Sequence, residues 1–534
     1  MSKNKKELNL ILVDTALKIM LVIGVLLTGL LTYYAMTGTF YCRGYMGCES
    51  MYVMDSLVKN LIAAGAFFLL SVTAYLIFDR KVKRKDRAAA VILGLTSVFM
   101  FALGIFYLKD HPYYMDGDQI NTFYGAVYAT WEDSDLRYLM FMPGGYLGIY
   151  PQQKGLVVFY MILYKLFGDD TFVCTQYLHL IYPQIVLFAG YSILKTEKVS
   201  PFARIVFCIF IASCIPMYLF IPYMYGDLGS IAFSFLAGNF LVRFEKTDRI
   251  RDAALLCISC TMALLLRKQI WIFIAAVLIV LVLAGVKKKK LRFAIAGLCV
   301  IISAWGTFFC IEKYFESVSG YRNVDGVPSI CWVVMGLQET GDRPGSYNRY
   351  NQGTFEENGF DAALASAVAK KDLNERIAVF RENPAYARYF FSTKIRQEWT
   401  APEFEALRTT SVWKADSGRD PENPPGWLLS LYTGARYAQM EWVANYYQTL
   451  VYLCAFLAAL GYLLKKGGKL PVSAQLSLIY CIGGVLFFAV WENQCRYVFP
   501  FFVCLTVLVP LCLDAVASRA GFFVNSLKKS SPKD

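Results

Sequence analysis

Apolar residues in this chain come in long runs, without the alternation of a half-buried strand or the one-sided stripe of a soluble helix. A run of about 20 apolar residues crosses the hydrocarbon core of a bilayer, where the backbone must satisfy its own hydrogen bonds as helix. Such runs occupy residues 17–33, 57–77, 88–107, 156–167, 172–194, 202–223, 231–244, 253–266, 270–286, 293–311, 446–464, 476–490 and 498–513. The pattern predicts an all-α polytopic membrane protein with about 12–13 transmembrane helices.

The polar segments between the runs divide the chain. Residues 1–108 hold the first transmembrane helices, and 109–312 a transmembrane core with an acidic first outer loop. Residues 313–441 form an extracytoplasmic helical region, and 442–534 the last transmembrane helices and a cytoplasmic tail. Within the outer region, 361–380 repeats small and apolar residues at helical spacing. Asn383-Pro384 then reads as a cap with proline at the first helical position. The helix it opens places Tyr386, Tyr389, Phe390 and Ile395 toward the membrane or core, and Arg388, Lys394 and Arg396 toward water.

Only 17% of the 534 residues are charged, against roughly a quarter in soluble domains. The formal net charge of +13 sits in short clusters between runs, such as 80–87, 243–251 and 287–290. That is the excess expected of cytoplasmic loops, so the charge sets topology and gives no reason to invoke nucleic acid. With these clusters inside, 109–151, 223–229, 267–269, 312–441 and 491–497 lie outside. The basic N-terminus precedes a long apolar stretch without a small-residue cleavage site, which reads as a retained anchor. Between Lys109 outside and Lys195 inside the chain must cross an odd number of times, yet two runs intervene. Either 156–167 is shallow or re-entrant, or 172–194 hides a break near Pro183.

Most of the 15 cysteines fall where they act as small apolar fillers. Cys42 and Cys48 share an outer loop whose compartment permits a disulfide. Two histidines exclude a histidine-rich metal centre.

Charged residues at the outer edges of runs are costly, and they mark function or snorkel to the interface. Asp116 and Asp118 stand two apart before an amphipathic helix, where one aspartate would suffice as a cap. Tyr150 and Gln152 open the next apolar segment, and Asp227 lies between two runs. Arg267, Lys268 and Gln269 interrupt an otherwise continuous apolar stretch, and Glu492, Arg496 and Tyr497 precede the last run. Acids from separate turns and arginines from two others thus share one membrane face. That combination suits an anionic phosphate beside a carboxylate base.

These residues resemble those of bacterial membrane glycosyltransferases of the GT-C fold, in the family-39-like group related to protein O-mannosyltransferases. The resemblance covers residues 112–510. It rests on Asp118-Gln119, Tyr150-Pro151-Gln152 with Gly168, Tyr225-Gly226-Asp227, and Arg267-Lys268-Gln269. It continues through Trp332-Val333-Val334-Met335-Gly336 with Gly345 and Tyr347, then Tyr386 to Lys394, Trp399, Glu492 and Arg496-Tyr497-Val498-Phe499-Pro500. The order and spacing of these motifs are more specific than any one of them. The family usually shows one dominant aspartate where this chain has two. The chain before Ala88 lies outside the resemblance.

The resemblance implies a GT-C-like bundle that takes a sugar from a polyprenyl-phosphate donor to an extracytoplasmic glycan, wall polymer or protein, by inverting displacement. It implies Asp118 as base with Asp116 assisting, and Asp227, Tyr150 and Gln152 positioning the acceptor or the helix turn beside it. Arg267 and Arg496 would hold the lipid phosphate, supported by Gln269 and Tyr497. No metal or other cofactor is required, though clustered acids leave room for a divalent cation. Two other classes fit a charged polytopic chain: a lipid-linked sugar flippase or transporter, and a non-catalytic envelope-assembly subunit. Transporters place their site near the midplane between related halves, whereas here the charges gather at one face and no halves repeat.

Overall fold

A computed structural model describes residues 3–43, 49–111, 115, 117–131, 135–322, 324–341, 343–410, 425–432, 434–465 and 469–530. The protein is an all-α, multi-pass membrane type, with one short antiparallel hairpin pairing Gly38–Arg43 with Glu49–Met54 among the described residues. Eight described helices are long and apolar enough to cross a membrane, including Leu57–Lys81, Lys85–Lys109, Lys268–Lys288, Arg292–Ser319 and Val472–Val490. This is fewer than the 12–13 expected from the runs, and the difference lies in residues 154–266.

There two of the five runs are cut into shorter helices, Lys154–Phe167 and Ile250–Leu266 are short, and the uncut Asp227–Thr247 is not among the eight. Run 156–167 becomes helix Lys154–Phe167, whose 14 residues reach only about 21 Å at 1.5 Å per residue. Run 172–194 becomes Thr171–His179 and Ile181–Thr196. The break falls at Leu180, and Pro183 sits in the first turn of the second helix, where its missing N–H leaves no bond unmade. Run 202–223 is likewise cut at Ser213 and Cys214, just before Pro216.

Both of the alternatives read from the sequence have a counterpart here, a short helix over 154–167 and a break inside 172–194. The start of Lys154–Phe167 is fixed by an ion pair from Lys154 Nζ to Glu312 at 2.6 Å. The end of Thr171–His179 returns to the same level, where Gln176 Nε2 donates to the Pro222 carbonyl at 3.2 Å and His179 Nδ1 bonds the Ile221 carbonyl at 2.9 Å. The two helices pack as a short hairpin, and neither they nor the 16-residue helix Ile181–Thr196 that follows is among the eight long enough to cross a membrane.

The basic clusters gather at the opposite end of the bundle. Lys288 pairs with Glu245 at 3.0 Å, Lys290 and Arg292 with Asp248, and Arg204 with Asp86. Helices Ile250–Leu266 and Val472–Val490 run from this end to the other, delivering Arg267 and Trp491 there.

A cap covers that second end. Its helices Ser329–Gly336, Tyr350–Glu357 and Ala362–Glu382 enclose a small core of Cys331, Val334, Phe355, Ala365 and Ala369. Asp361 caps the third of these helices through the Ala363 and Leu364 amides, and Asn383 caps Pro384–Trp399 through the Tyr386 amide. The faces of the Pro384–Trp399 helix differ from the expectation. Phe390 is buried as expected, but Lys394 is buried too, and Tyr389 is exposed. The helix is clamped between cap and bundle, so a cation that finds carbonyl partners goes inward and an aromatic ring without a groove stays out.

Candidate functional site

Asp118 is the first residue of helix Asp118–Thr130 and is exposed. Its carboxylate accepts two phenolic hydrogen bonds, from Tyr146 at 3.0 Å on Oδ1 and from Tyr225 at 2.8 Å on Oδ2. The Gln153 side chain in turn donates to Tyr225 Oη. A carboxylate held this way keeps its orientation while remaining open to an incoming proton donor.

Tyr225 belongs to a turn that only glycine permits. Gly226 has φ of +78°, and a β-carbon there would lie 2.7 Å from the Leu266 carbonyl oxygen. The close approach sets Tyr225 and Asp227 against Arg267. The Arg267 guanidinium lies 4.6 Å from the Tyr225 ring centroid and 5.6 Å from that of Tyr497. Its Nε is 3.5 Å from Asp227 Oδ1, an ion pair longer than an ordinary hydrogen bond. Arg496 shares the same rings, 5.2 Å from both Tyr225 and Tyr497, and lies 5.4 Å from Tyr223. Two guanidinium groups from distant parts of the sequence therefore meet across one tyrosine whose hydroxyl touches Asp118. Both arginines are about nine-tenths buried, and Arg496 Nε has no hydrogen-bond partner among the described residues.

Arg496 donates to Gln494 Oε1 at 3.2 Å, and Gln494 passes a bond to Glu492 Oε1 at 2.9 Å. Tyr497 donates to Glu492 Oε2 at 3.3 Å. Burial, and after it the Asp118 carboxylate, push Glu492 up to about 8. Near neutral pH Glu492 is therefore mostly a neutral acid beside an exposed carboxylate. Behind it, Lys394 donates to the Gly336 carbonyl at 2.6 Å and to the Trp491 carbonyl. Burial lowers Lys394 to about 8, while Glu398 and Glu492 oppose that shift. At the rim, Tyr150 donates to Gln352 Oε1 of the cap at 3.1 Å.

The structure thus brings together Asp118, Asp227, Arg267, Arg496 and Tyr497, with Tyr150 at the edge. Asp227 is 2% exposed and pairs with Arg267, a contact that fastens its helix turn. Gln152 lies in the 3-10 turn Pro151–Gln153, whose next residue, Gln153, donates to Tyr225. Gln269 has a buried amide nitrogen without a partner among the described residues, and no hydrogen bond ties it to the arginines. Asp116 and Cys48 lie outside the described residues. Sequence reasoning gave no role to Tyr146, Tyr225 or Gln153 and singled out Glu492 only as an acid before the last run.

A cavity of about 710 Å³ lies between helices Lys154–Phe167 and Arg292–Ser319, and Leu265, two residues before Arg267, lines it. Val158, Met161, Leu265, Gly306 and Ile311 give it a mostly apolar lining, and Tyr314 stands toward the Arg267 end. From Ile302 to Tyr314 it follows the Arg292–Ser319 helix for about 18 Å. Among the described residues no three His, Cys, Asp or Glu side chains gather as a metal site. The fold and site define a multi-pass helical membrane protein with a cationic and acidic cluster at the end opposite its basic loops. Compared with known proteins, the chain matches no protein-family model and no curated relative.

Proposed function

We propose that the protein is a membrane glycosyltransferase, moving a sugar from a polyprenyl-phosphate donor to an acceptor on the extracytoplasmic side. One observation carries this reading: the Arg267 and Arg496 guanidinium groups stack on the Tyr225 ring, whose hydroxyl bonds the Asp118 carboxylate. Anion holder and base are thereby fixed a side chain apart. The apolar cavity next to Leu265 supports the reading, because a lipid phosphate needs room for its chain beside its charge.

In the proposed reaction an acceptor hydroxyl or amine attacks the anomeric carbon from the Asp118 side. The new bond to carbon forms as the bond to phosphate oxygen breaks, with inversion. The acceptor proton passes to Asp118, and the electron pair leaves with the polyprenyl phosphate. Arg267 and Arg496 stabilise the charge on the departing phosphate. Lysine copies a guanidinium fork poorly. Arg496→Lys is therefore expected to weaken polyprenyl monophosphate binding by about 1.5–3 kcal/mol while leaving thermal stability near wild type, measured by titration calorimetry in nanodiscs. Unchanged affinity with lowered stability would make Arg496 a helix lock and move the phosphate elsewhere.

A further inference from the structure

The turn Trp491–Gln494 supplies Glu492 and Gln494 and leads directly into Arg496 and Tyr497, yet its own backbone is fixed from the cap. Lys394, fully buried in helix Pro384–Trp399, reaches across to two backbone carbonyls. One belongs to Gly336, at the end of cap helix Ser329–Gly336, and the other to Trp491. A second strand of bonds runs beside the first. The Asn493 amide donates to the Gly345 carbonyl at 2.7 Å, and the Asn493 side chain donates to the Pro344 carbonyl at 3.0 Å. Gly345 is required for this geometry: its φ is +75°, and a β-carbon there would lie 2.8 Å from Lys394 Nζ and 2.3 Å from the Gly336 carbonyl oxygen. The Trp332 and Trp491 rings stack at 5.7 Å with 6° between planes, closing the same junction on its aromatic side.

A buried ammonium that only filled space would be costly; one that bonds carbonyls of two separate segments ties them together. We infer that Lys394 is a positioning residue: it ties the Trp491–Gln494 turn to the cap and so sets the register of Arg496 and Tyr497 toward Arg267. The cap thereby becomes part of the anion site without touching the anion. The consequence for ligand binding rests on the phosphate-site reading, whereas the tether itself does not.

The experiment uses full-length protein in nanodiscs, with a C55 polyprenyl monophosphate as probe. Lys394→Met keeps the apolar stem and removes the donors. Lys394→Gln, whose side chain is one bond shorter and uncharged and so weakens both bonds while staying polar, serves the same test if the methionine variant does not fold. Two readouts are taken: probe affinity, and hydrogen exchange of the amides from 491 to 498. The inference expects faster exchange confined to that stretch and affinity lowered about tenfold or more, because displacing a binding group by about 1 Å has effects of that size. A wild-type chain that binds the probe while the variant binds equally well, with unchanged exchange, overturns the inference and leaves the phosphate site standing. If wild type does not bind the probe, the phosphate reading fails by itself. Exchange then decides the tether: local loosening at 491–498 upholds it, and wild-type exchange or uniform loosening of the whole chain overturns it.

Discussion

Asp118 and the two arginines answer different chemical demands, and substitution separates them. A general base is needed only in turnover, so Asp118→Asn is expected to lower the rate by about two to four decades with donor binding nearly intact. Single-turnover rates and equilibrium binding on the same preparation check this, and full activity in the variant would remove acid–base chemistry from Asp118. The arginines are not equivalent. Arg267 pairs with Asp227 and so also fastens helix Asp227–Thr247, whereas Arg496 donates its hydrogen bond to the neutral Gln494 side chain and has no ion pair among the described residues. Arg267→Lys should therefore lose both stability and binding, and Arg496→Lys mainly binding. Anion binding should also depend on pH. Glu492 loses its proton near about 8, adding negative charge, and Lys394 loses its own near about 8, removing positive charge. Both changes oppose an anion, so affinity for polyprenyl monophosphate falls as pH rises through that region. Above about pH 7 the phosphate is already largely dianionic and contributes little slope. In Glu492→Gln the fall should shrink to the Lys394 share; an unchanged profile would exclude Glu492 as a titrating neighbour of the site.

At the scale of elements, legibility followed the physics of each signal. The long spans were legible because bilayer thickness demands an unbroken apolar run. The Asn383 cap was legible because capping is local. Asn383→Ala should accordingly cost about 1 kcal/mol in the cap, read as a lowered unfolding midpoint. The break at Leu180 was visible only through a parity conflict, because a broken run has the same composition as one that is not. Its cause is tertiary, since the Ile221 and Pro222 carbonyls that hold His179 and Gln176 come from another turn. The inward turn of Lys394 was hidden for the same reason. Its partners are backbone carbonyls of Gly336 and Trp491, which leave no mark in side-chain periodicity.

For the molecule as a whole, alternating basic loops identified which residues share an end, and the fold gathers Asp118, Arg267 and Arg496 at the end opposite Lys288 and Lys290. That end should face outward. Single cysteines at Asp118 and at the exposed Tyr389 should react with an impermeant reagent added to intact cells, and cysteines at 287–290 should not. The reverse pattern would invert the topology. The central claim is chemical, and it is tested most directly by incubating purified protein and its Asp118→Asn variant with a panel of polyprenyl-phosphate sugars and candidate acceptors. The account predicts that wild type consumes one donor and releases polyprenyl phosphate, while the variant binds that donor without consuming it. Consumption of a donor at equal rates by both proteins, or no binding of any polyprenyl phosphate by either, would contradict it.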